Sequence, residues 1–594
     1  MKEILRAVPQ PHASVSVADL RVDLNGAGIP IVDEVSFELA AGEILGLVGE
    51  SGSGKTTVGM ALLGHSRSGL RITGGSVCIG DKDVLRLSER ELRAVRGKSI
   101  TYVPQDPGTA LNPALRIGTQ LRESLKGQPA TEADVLQLLS DVKLPTVPAF
   151  LAAFPHQVSG GQQQRVAIAM AFASRPAAVV LDEPTTGLDV TTQSHVLDTI
   201  RRLCAKHGVA AVYVTHDLAV VATLANRVAV MYSGRIVEIG PTSVVLTEPT
   251  HPYTRALIRA VPDLDGPILL QGIPGQAPAP TSRPKGCAFL PRCPMSIPAC
   301  MAAPPSLARV APYHDVRCIR SDVRVQAAVT AGRESASVER IGPPLLEIKA
   351  LRAFHGSAEI LKGIDLALAH GCSMALVGES GSGKTTLARC ISGLHKKIDG
   401  LMYYDGQILA AGSRNRAVES RRQIQYIFQN PYASLNPRRS IGEAIAAPLR
   451  EFESVSNEEL RRRVGEVLDQ VALSRRAAQQ YPHHLSGGQR QRAAIARALI
   501  VNPTLLVCDE VTSALDVSIQ AVIVELLDRL QQERGISMLF VTHNLPLIRS
   551  VAQQVAVMQS GRIVELGAVK DVLSRPKAAE TTRLIQDAPH FRQA

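Results

Sequence analysis

The sequence predicts an α/β protein in which one domain occurs twice, and three observations carry that expectation. The octet Gly-Glu-Ser-Gly-Ser-Gly-Lys-Thr stands at Gly49–Thr56 and again, unchanged, at Gly378–Thr385. Each copy fits the phosphate-loop pattern G-x-x-x-x-G-K-[ST]. An apolar run leads into each loop, Ile44–Val48 in the first copy and Met374–Val377 in the second. Both runs read as buried parallel strands. Further motifs then recur in the same order at a nearly constant offset. Lys55 and Lys384 lie 329 positions apart, and the pairs Ser159/Ser486, Asp182/Asp509 and His216/His543 each lie 327 apart. So long a period is a duplicated domain rather than a solenoid, and each half has about the length of one α/β domain.

The octet has a direct physical reading. Gly49, Gly52 and Gly54 allow positive φ and a close approach of backbone to an anion. The loop amides then point at a β-phosphate, and the N-terminus of the following helix adds partial positive charge. Lys55 reaches the β- and γ-oxygens, and the Thr56 hydroxyl binds Mg²⁺; Lys384 and Thr385 repeat these roles. The nucleotide set is Gly49, Ser51, Gly52, Gly54, Lys55, Thr56 and Thr57 in the first loop, and Gly378, Ser380, Gly381, Gly383, Lys384, Thr385 and Thr386 in the second. Two loops imply two ATP molecules.

The later motifs supply the rest of a hydrolytic site. Gln105 and Gln429 follow the loops at matching distances. Next come Ser159-Gly160-Gly161-Gln162 and Ser486-Gly487-Gly488-Gln489 at the start of Ala- and Arg-rich helical stretches. A serine N-cap followed by glycines makes a second kind of anion site. The apolar strands 178–182 and 505–509 end in Asp182-Glu183 and Asp509-Glu510. An aspartate at a strand end can hold Mg²⁺ through water. The glutamate after it points to the opposite side and can polarise an attacking water. Gly187-Leu-Asp189 and Ala514-Leu-Asp516 follow, and last come His216 and His543, each closing an apolar strand.

On these residues the chain resembles an ATP-binding-cassette (ABC) ATPase with two fused nucleotide-binding domains, over nearly its whole length. The doubled Ser-Gly-Gly-Gln signature is the most specific part of the likeness. The resemblance implies, for each cassette, a RecA-like parallel core, an antiparallel β-subdomain and a helical subdomain, the first of these lying in 105–172. It places His216 and His543 at the γ-phosphate. It makes Gln105 and Gln429 sensors of Mg²⁺ and water, so that Thr56, Gln105 and Asp182 would hold one Mg²⁺ and Thr385, Gln429 and Asp509 the other. It also implies an intramolecular cassette dimer in which Ser486–Gly488 face the first nucleotide and Ser159–Gly161 the second. The glutamates Glu183 and Glu510 are both present, so both sites are expected to hydrolyse ATP. Val158 stands where the second signature has Leu485, and Val511 stands where the first cassette has Pro184; neither change removes a chemical group. Phe354 is the candidate adenine-stacking ring of the second half, and the region around Leu24 offers no aromatic.

A Pro- and Cys-rich segment follows the first cassette. Four of the nine cysteines lie there with the spacing C-x5-C-x6-C-x17-C: Cys287, Cys293, Cys300 and Cys318. In a reducing compartment such a group suits a metal rather than disulfides. The string beginning His251-Pro-Tyr253, together with Gln105–Pro113 and Gln429–Pro437, resembles the oligopeptide/dipeptide permease (peptide/nickel importer) branch of the family. That likeness implies a [4Fe–4S] cluster on the four cysteines; zinc and unliganded thiols stay open, with His314 a weaker ligand. None of these cysteines lies in a phosphate loop, so nucleotide binding is expected to be independent of them. The likeness further implies the ATPase of a peptide-type importer that drives two transmembrane permease subunits, fed by a separate solute-binding protein. The alternative is a twin-cassette ATPase acting on ribosomes or nucleic acid.

The expected organisation is a first nucleotide-binding domain over 1–258, the cysteine-rich extension over 259–320, a linker over 321–344, a second nucleotide-binding domain over 345–575 and a tail over 576–594. Lys and Arg outnumber Asp and Glu, 65 to 54, for a net charge of +11. No basic block is interleaved with aromatics, so no nucleic-acid partner is expected. There is no apolar run long enough to span a bilayer and no signal-peptide pattern. The expected location is peripheral, on the cytoplasmic side of the inner membrane.

Overall fold

The structure is a computed structural model that describes residues 14–125, 131–264, 270–320, 343–430, 434–512, 515–588 and 591. The expected linker at 321–342, residues 431–433, Ala514 and five residues of the tail lie outside the described residues.

Each half is built on a parallel sheet whose strands are buried on both faces. In the first half the parallel strands run in the order Ile100–Val103, Ala178–Asp182, Ala210–Val214, Ile44–Val48 and Arg227–Tyr232. In the second half the order is Ile424–Ile427, Leu505–Asp509, Ser537–Val541, Ser373–Val377 and Gln554–Gln559. Every residue of Ile44–Val48 and of Ser373–Val377 is buried, as the continuous apolar runs require. An antiparallel strand, Arg235–Pro241 or Arg562–Ala568, extends each sheet. Each half also carries a four-stranded antiparallel sheet, with central pairs Val15–Leu24/Leu70–Ile79 and Pro344–His355/Ile398–Tyr404. Short helices between Pro107 and Ala152 form the helical part of the first half. This is the architecture implied by the sequence likeness.

Matching helices follow matching strands. Val190–His207 is capped by the Asp189 side chain, which accepts from the amide of Thr192, and ends at left-handed Gly208. Val517–Arg534 is capped by Asp516, which accepts from the amide of Ile519, and ends at left-handed Gly535. Both arrangements follow the usual preference for Asp at an N-cap and Gly past the last turn.

Two segments differ between the halves. The cysteine segment adds strands His314–Val316 and Ala308–Ala311 to the edge of the first sheet, giving eight strands where the second half has six. The helix Pro252–Arg259 runs through position 258 without a break, so the extension continues the first half instead of standing apart. Its core is borrowed: Phe289 is buried against Tyr232 at 5.3 Å and Tyr253 at 5.5 Å between ring centroids. After the second cassette comes the helix Ala579–Asp587, and Phe591 beyond it is buried in an apolar cluster of the first half with Val48 and Tyr253. The halves interlock elsewhere. Ala260 and Leu270 join the core of the second half. A Cβ at Gly272 would lie 2.3 Å from the Val522 side chain, so only glycine allows that approach.

Phe289 therefore holds the cysteine segment on the sheet. Phe289→Ala should remove roughly 3–5 kcal/mol of local stability. Hydrogen-exchange mass spectrometry should show lost protection over the cysteine segment and Arg227–Pro241. Ile408→Ala, at a position 72% exposed, should change nothing.

Candidate nucleotide sites

Both phosphate loops sit at the ends of parallel strands and are wedged against the neighbouring strand. A Cβ at Gly49 would lie 2.2 Å from the Met231 carbonyl oxygen, and one at Gly378 would lie 2.2 Å from that of Met558, with φ of +149° and +147°. The lysines fold back onto their own loops. Lys55 Nζ donates to the carbonyls of Gly49 (2.8 Å) and Glu50 (2.9 Å), and Lys384 Nζ to those of Gly378 and Glu379 (both 2.8 Å). Burial lowers the pKa of both lysines, opposed by nearby carboxylates, chiefly Glu183 for Lys55 and Glu510 for Lys384.

The groups expected to share Mg²⁺ come together. Thr56 Oγ1 donates to Asp182 Oδ1 at 3.1 Å, and Thr385 Oγ1 to Asp509 Oδ1 at 3.2 Å. A residue missed from sequence holds the other oxygen of each carboxylate. The Tyr102 hydroxyl donates to Asp182 at 2.8 Å, and Tyr426 makes the same bond to Asp509. The available signal was register: each tyrosine lies three residues before Gln105 or Gln429, on the strand beside the aspartate. Burial raises the pKa of Asp182 and Asp509, and the hydroxyl donors only partly offset it.

Glu183 and Glu510 occupy left-handed backbone, φ 48° and 47°, a strained state for a non-glycine residue. The bend turns each carboxylate off the strand and into a ring of donors. Glu183 Oε2 accepts from Gln105 Nε2 at 2.9 Å and from Thr186 at 3.1 Å, and Oε1 meets His216 Nδ1 at 3.0 Å. In the second site Glu510 accepts from Gln429 at 2.6 Å and meets His543 Nδ1 at 3.4 Å. Burial pushes the Glu183 pKa up, but the His216 hydrogen bond and charge outweigh it and leave a net depression. Burial likewise lowers His216, and Glu183 outweighs it, leaving that pKa raised. Glutamine, glutamate and histidine thus form one cluster in each site, oriented for charge and proton handling beside the loop.

Asp189 and Asp516, which carry no expected role from the sequence, each stand against the phosphate loop of the other half. The Ser51 amide donates to Asp516 Oδ2 at 3.2 Å. A cavity of about 320 Å³ at the second loop is lined by Ser380, Gly381, Gly383, Lys384, Thr385, Thr386, Glu510 and His543, and Gly187 and Asp189 of the first half close it. Ser159 and Ser486 cap their own helices, accepting from the amides of Gln162 and Gln489, both at 3.3 Å. Ser159, Gly160 and Gly161 do not line the second-loop cavity. Phe354 does not line it either; it packs under Arg352 at 5.5 Å, and its neighbour His355 faces the loop. Successive strand residues point to opposite faces, which sets Phe354 and His355 on different sides of the strand.

The four cysteines converge. Cys287, Cys293, Cys300 and Cys318 all line one small cavity of about 20 Å³, with His251, Phe289 and Arg320, room for about one water molecule. Burial first, then the neighbouring thiols, raises the pKa of Cys287 and Cys293. His314 is not part of the group; its Nε2 meets Glu238 at 2.8 Å. Among the described residues no three His, Cys, Asp or Glu side chains stand in position to hold a metal ion. The thiol donors are gathered, but the space between them is short of a four-iron cluster. The segment does, however, reach the first phosphate loop. Arg292, one residue before Cys293, forms a bidentate pair with Glu50 of the first phosphate loop.

Tyr102→Phe and Tyr426→Phe should each remove one hydrogen bond to a charged aspartate, worth about 1.5–3 kcal/mol. The Mg²⁺ concentration for half-maximal ATPase should rise roughly tenfold, with metal-free ATP binding unchanged.

The family profile described as ABC transporter matches residues 32–186 and 361–513. The profile of the oligopeptide/dipeptide transporter C-terminal region matches residues 237–300. The oligopeptide transport ATP-binding protein OppD of Mycobacterium tuberculosis is 38% identical over 97% of this chain and 98% of its own. The glutathione import ATP-binding protein GsiA of Salmonella typhimurium is 36% identical over 97% and 89%. The peptidoglycan transport ATP-binding protein YejF of Agrobacterium fabrum is 37% identical over 98% and 96%. Two loops on two parallel sheets, each beside its own Asp-Glu-His-Gln cluster, agree with these likenesses, and the chain belongs to the ABC transporter ATPases, in their twin-cassette oligopeptide/dipeptide branch.

Proposed function

We propose that the chain is the ATP-hydrolysing subunit of an ABC importer for peptides or related small solutes, energising separate transmembrane permease subunits. The observation that carries this reading is the complete duplicate set: Lys55, Thr56, Asp182, Glu183, His216 and Gln105 in one half, and Lys384, Thr385, Asp509, Glu510, His543 and Gln429 in the other. The relatives' names support a peptide-like cargo.

In this reading the loop amides and Lys55 bind the phosphates and hold them against the strand end. Thr56, Gln105 and Asp182 would hold Mg²⁺, which when bound neutralises charge on the β- and γ-phosphates. Glu183, ionised and oriented by Gln105, Thr186 and His216, takes the proton of the attacking water. His216, its pKa raised by the same glutamate, donates towards the γ-phosphate. The second site repeats this. Ser486–Gly488 and Ser159–Gly161 would complete the opposite nucleotides in an intramolecular cassette dimer; the cross-half contacts of Asp516 and Asp189 support that pairing.

No helix among the described residues is long and apolar enough to cross a membrane. The pathway is therefore assigned to two permease subunits, with a solute-binding protein delivering cargo to them and this chain peripheral on the cytoplasmic face. The exposed turns around Pro107–Ala110 and Asn436 are the proposed receiving surface. No observation favours ribosomes or nucleic acid. We retain 1–258 and 345–575 as the two nucleotide-binding domains and 259–320 as the extension, with the [4Fe–4S] cluster as its proposed ligand. The convergence of four thiolate-forming donors on one cavity supports the cluster by donor chemistry.

Reconstitution with permeases in liposomes tests the function. Glu183→Gln and Glu510→Gln should each lower turnover by about 10²–10⁴ at its own site, and the double variant should trap ATP and stop transport. Unchanged turnover in one single variant would make that site regulatory. Anaerobically purified chain should carry roughly four irons and be brown. Cys293→Ser should bleach it, while Cys508→Ser should not. One zinc without colour, or four free thiols without metal, would remove the cluster.

A further inference from the structure

The second residue of each phosphate loop is a glutamate, and the two are held in different ways. Glu50 is buried and gripped from three directions. Arg292 Nη1 donates to its Oε2 at 2.6 Å and Nη2 to its Oε1 at 2.9 Å. The Ser518 hydroxyl, from the second half, stands within hydrogen-bond reach of both Oε1 and Asp516 Oδ1 (3.0 Å), with one proton to share between them. The backbone at Glu50 is pinned too: the amide meets the Tyr253 hydroxyl at 2.9 Å, and the carbonyl accepts from Lys55. Arg292 is itself locked. Its Nε donates to the Pro274 carbonyl at 2.8 Å and Nη2 to that of Ile273 at 3.2 Å, and its side chain is only 3% exposed.

The second loop has no such grip. Among the described residues the Glu379 side chain pairs with Arg583 of the C-terminal helix, at 3.6 Å, with side chains 36% and 51% exposed. An exposed pair at that distance contributes little. The positions matching Tyr232 and Tyr253 are Gln559 and Glu580, which bond each other at 2.7 Å.

A buried, bidentate guanidinium–carboxylate pair is directional and costly to break from one side. Its arginine sits in the turn Leu290–Arg292, between the first two converging cysteines. We infer that Arg292 is a positioning residue for the first ATP site. It sets the backbone of Gly49–Thr56 through Glu50, and it makes ATP affinity at this site, but not at the second, depend on the folded cysteine segment. The inference rests on the reading that these loops bind ATP. Arg292 touches no phosphate itself.

The test is titration of the full-length chain, prepared anaerobically, with a fluorescent ATP analogue. Lys384→Ala isolates the first site and Lys55→Ala the second. In the first background Arg292→Gln should weaken binding about tenfold, the scale of a lost charged hydrogen bond. Arg292→Lys should fall between, since it keeps the charge and loses the fork. Glu50→Gln/Arg292→Gln together should be no worse than Arg292→Gln alone, as expected when one residue acts through the other. Cys293→Ser should weaken the first site in the same direction. In the Lys55→Ala background all these changes should leave affinity unaltered, which also shows that the chain remains folded. Unchanged first-site affinity in Arg292→Gln, or an equal loss at both sites, would overturn the inference. If the Lys384→Ala chain with Arg292 intact binds no ATP, the nucleotide reading of the first loop falls and the clamp with it. If it binds and Arg292→Gln leaves it unaltered, only the clamp falls.

Discussion

Backbone packed on backbone at a strand end is the constraint from which both sites are built. The carbonyl oxygens of Met231 and Met558 come so close to Gly49 and Gly378 that no side chain fits, 2.2 Å from an added Cβ in each case. That wedge sets where the loop amides point, and Lys55 and Lys384 close the loops by bonding their first two carbonyls. Beyond one intervening strand of each sheet, Ala178–Asp182 and Leu505–Asp509 end in aspartates in reach of Thr56 and Thr385. One step later the chain bends through left-handed Glu183 and Glu510. Strain at those positions is tolerated because three donors hold the carboxylate of Glu183.

Duplication reproduced this chemistry twice and then decorated it unequally. The first sheet gained two strands from the cysteine segment, and that segment brought Phe289 onto Tyr232 and Tyr253 and Arg292 onto Glu50. In the second half the helix Ala579–Asp587, the counterpart of Pro252–Arg259, brings its Arg583 towards Glu379 at an exposed edge. The two phosphate loops are identical in sequence, yet one is held by a buried ion pair and the other by an exposed one. Their surroundings, and not their own residues, make them different.

Asp189 and Asp516 show how one residue can serve two elements. Each caps the long helix that follows it, an ordinary local role for aspartate. Each also stands against the phosphate loop of the other half, Asp516 accepting from the Ser51 amide and Asp189 closing the cavity of the second loop. The junction between halves is thereby assembled from helix starts that each half needs in any case.

The local chemistry was legible in the sequence wherever neighbours along the chain share one task. The two octets, the apolar strands before them, the Asp-Glu pairs and the histidines closing apolar strands all obey short-range rules, and the repeat multiplied their weight. Tyr102 and Tyr426 were not legible, because their role depends on register with a strand about 80 positions away. That His355, and not Phe354, lines the cavity at the second loop turned on which face of the strand looks at that loop. Arg292 lies 242 positions from Glu50, and only the packing of Phe289 on the sheet brings them together. By itself the sequence determined two phosphate loops and the Gln, Asp-Glu and His residues that gather beside them, because spacing along a strand, loop and helix is fixed by backbone geometry. The tertiary structure decided which half touches which loop, and that the cavity of the four cysteines neighbours the first phosphate loop, because those contacts arise from burial of apolar surface between segments that no local pattern connects.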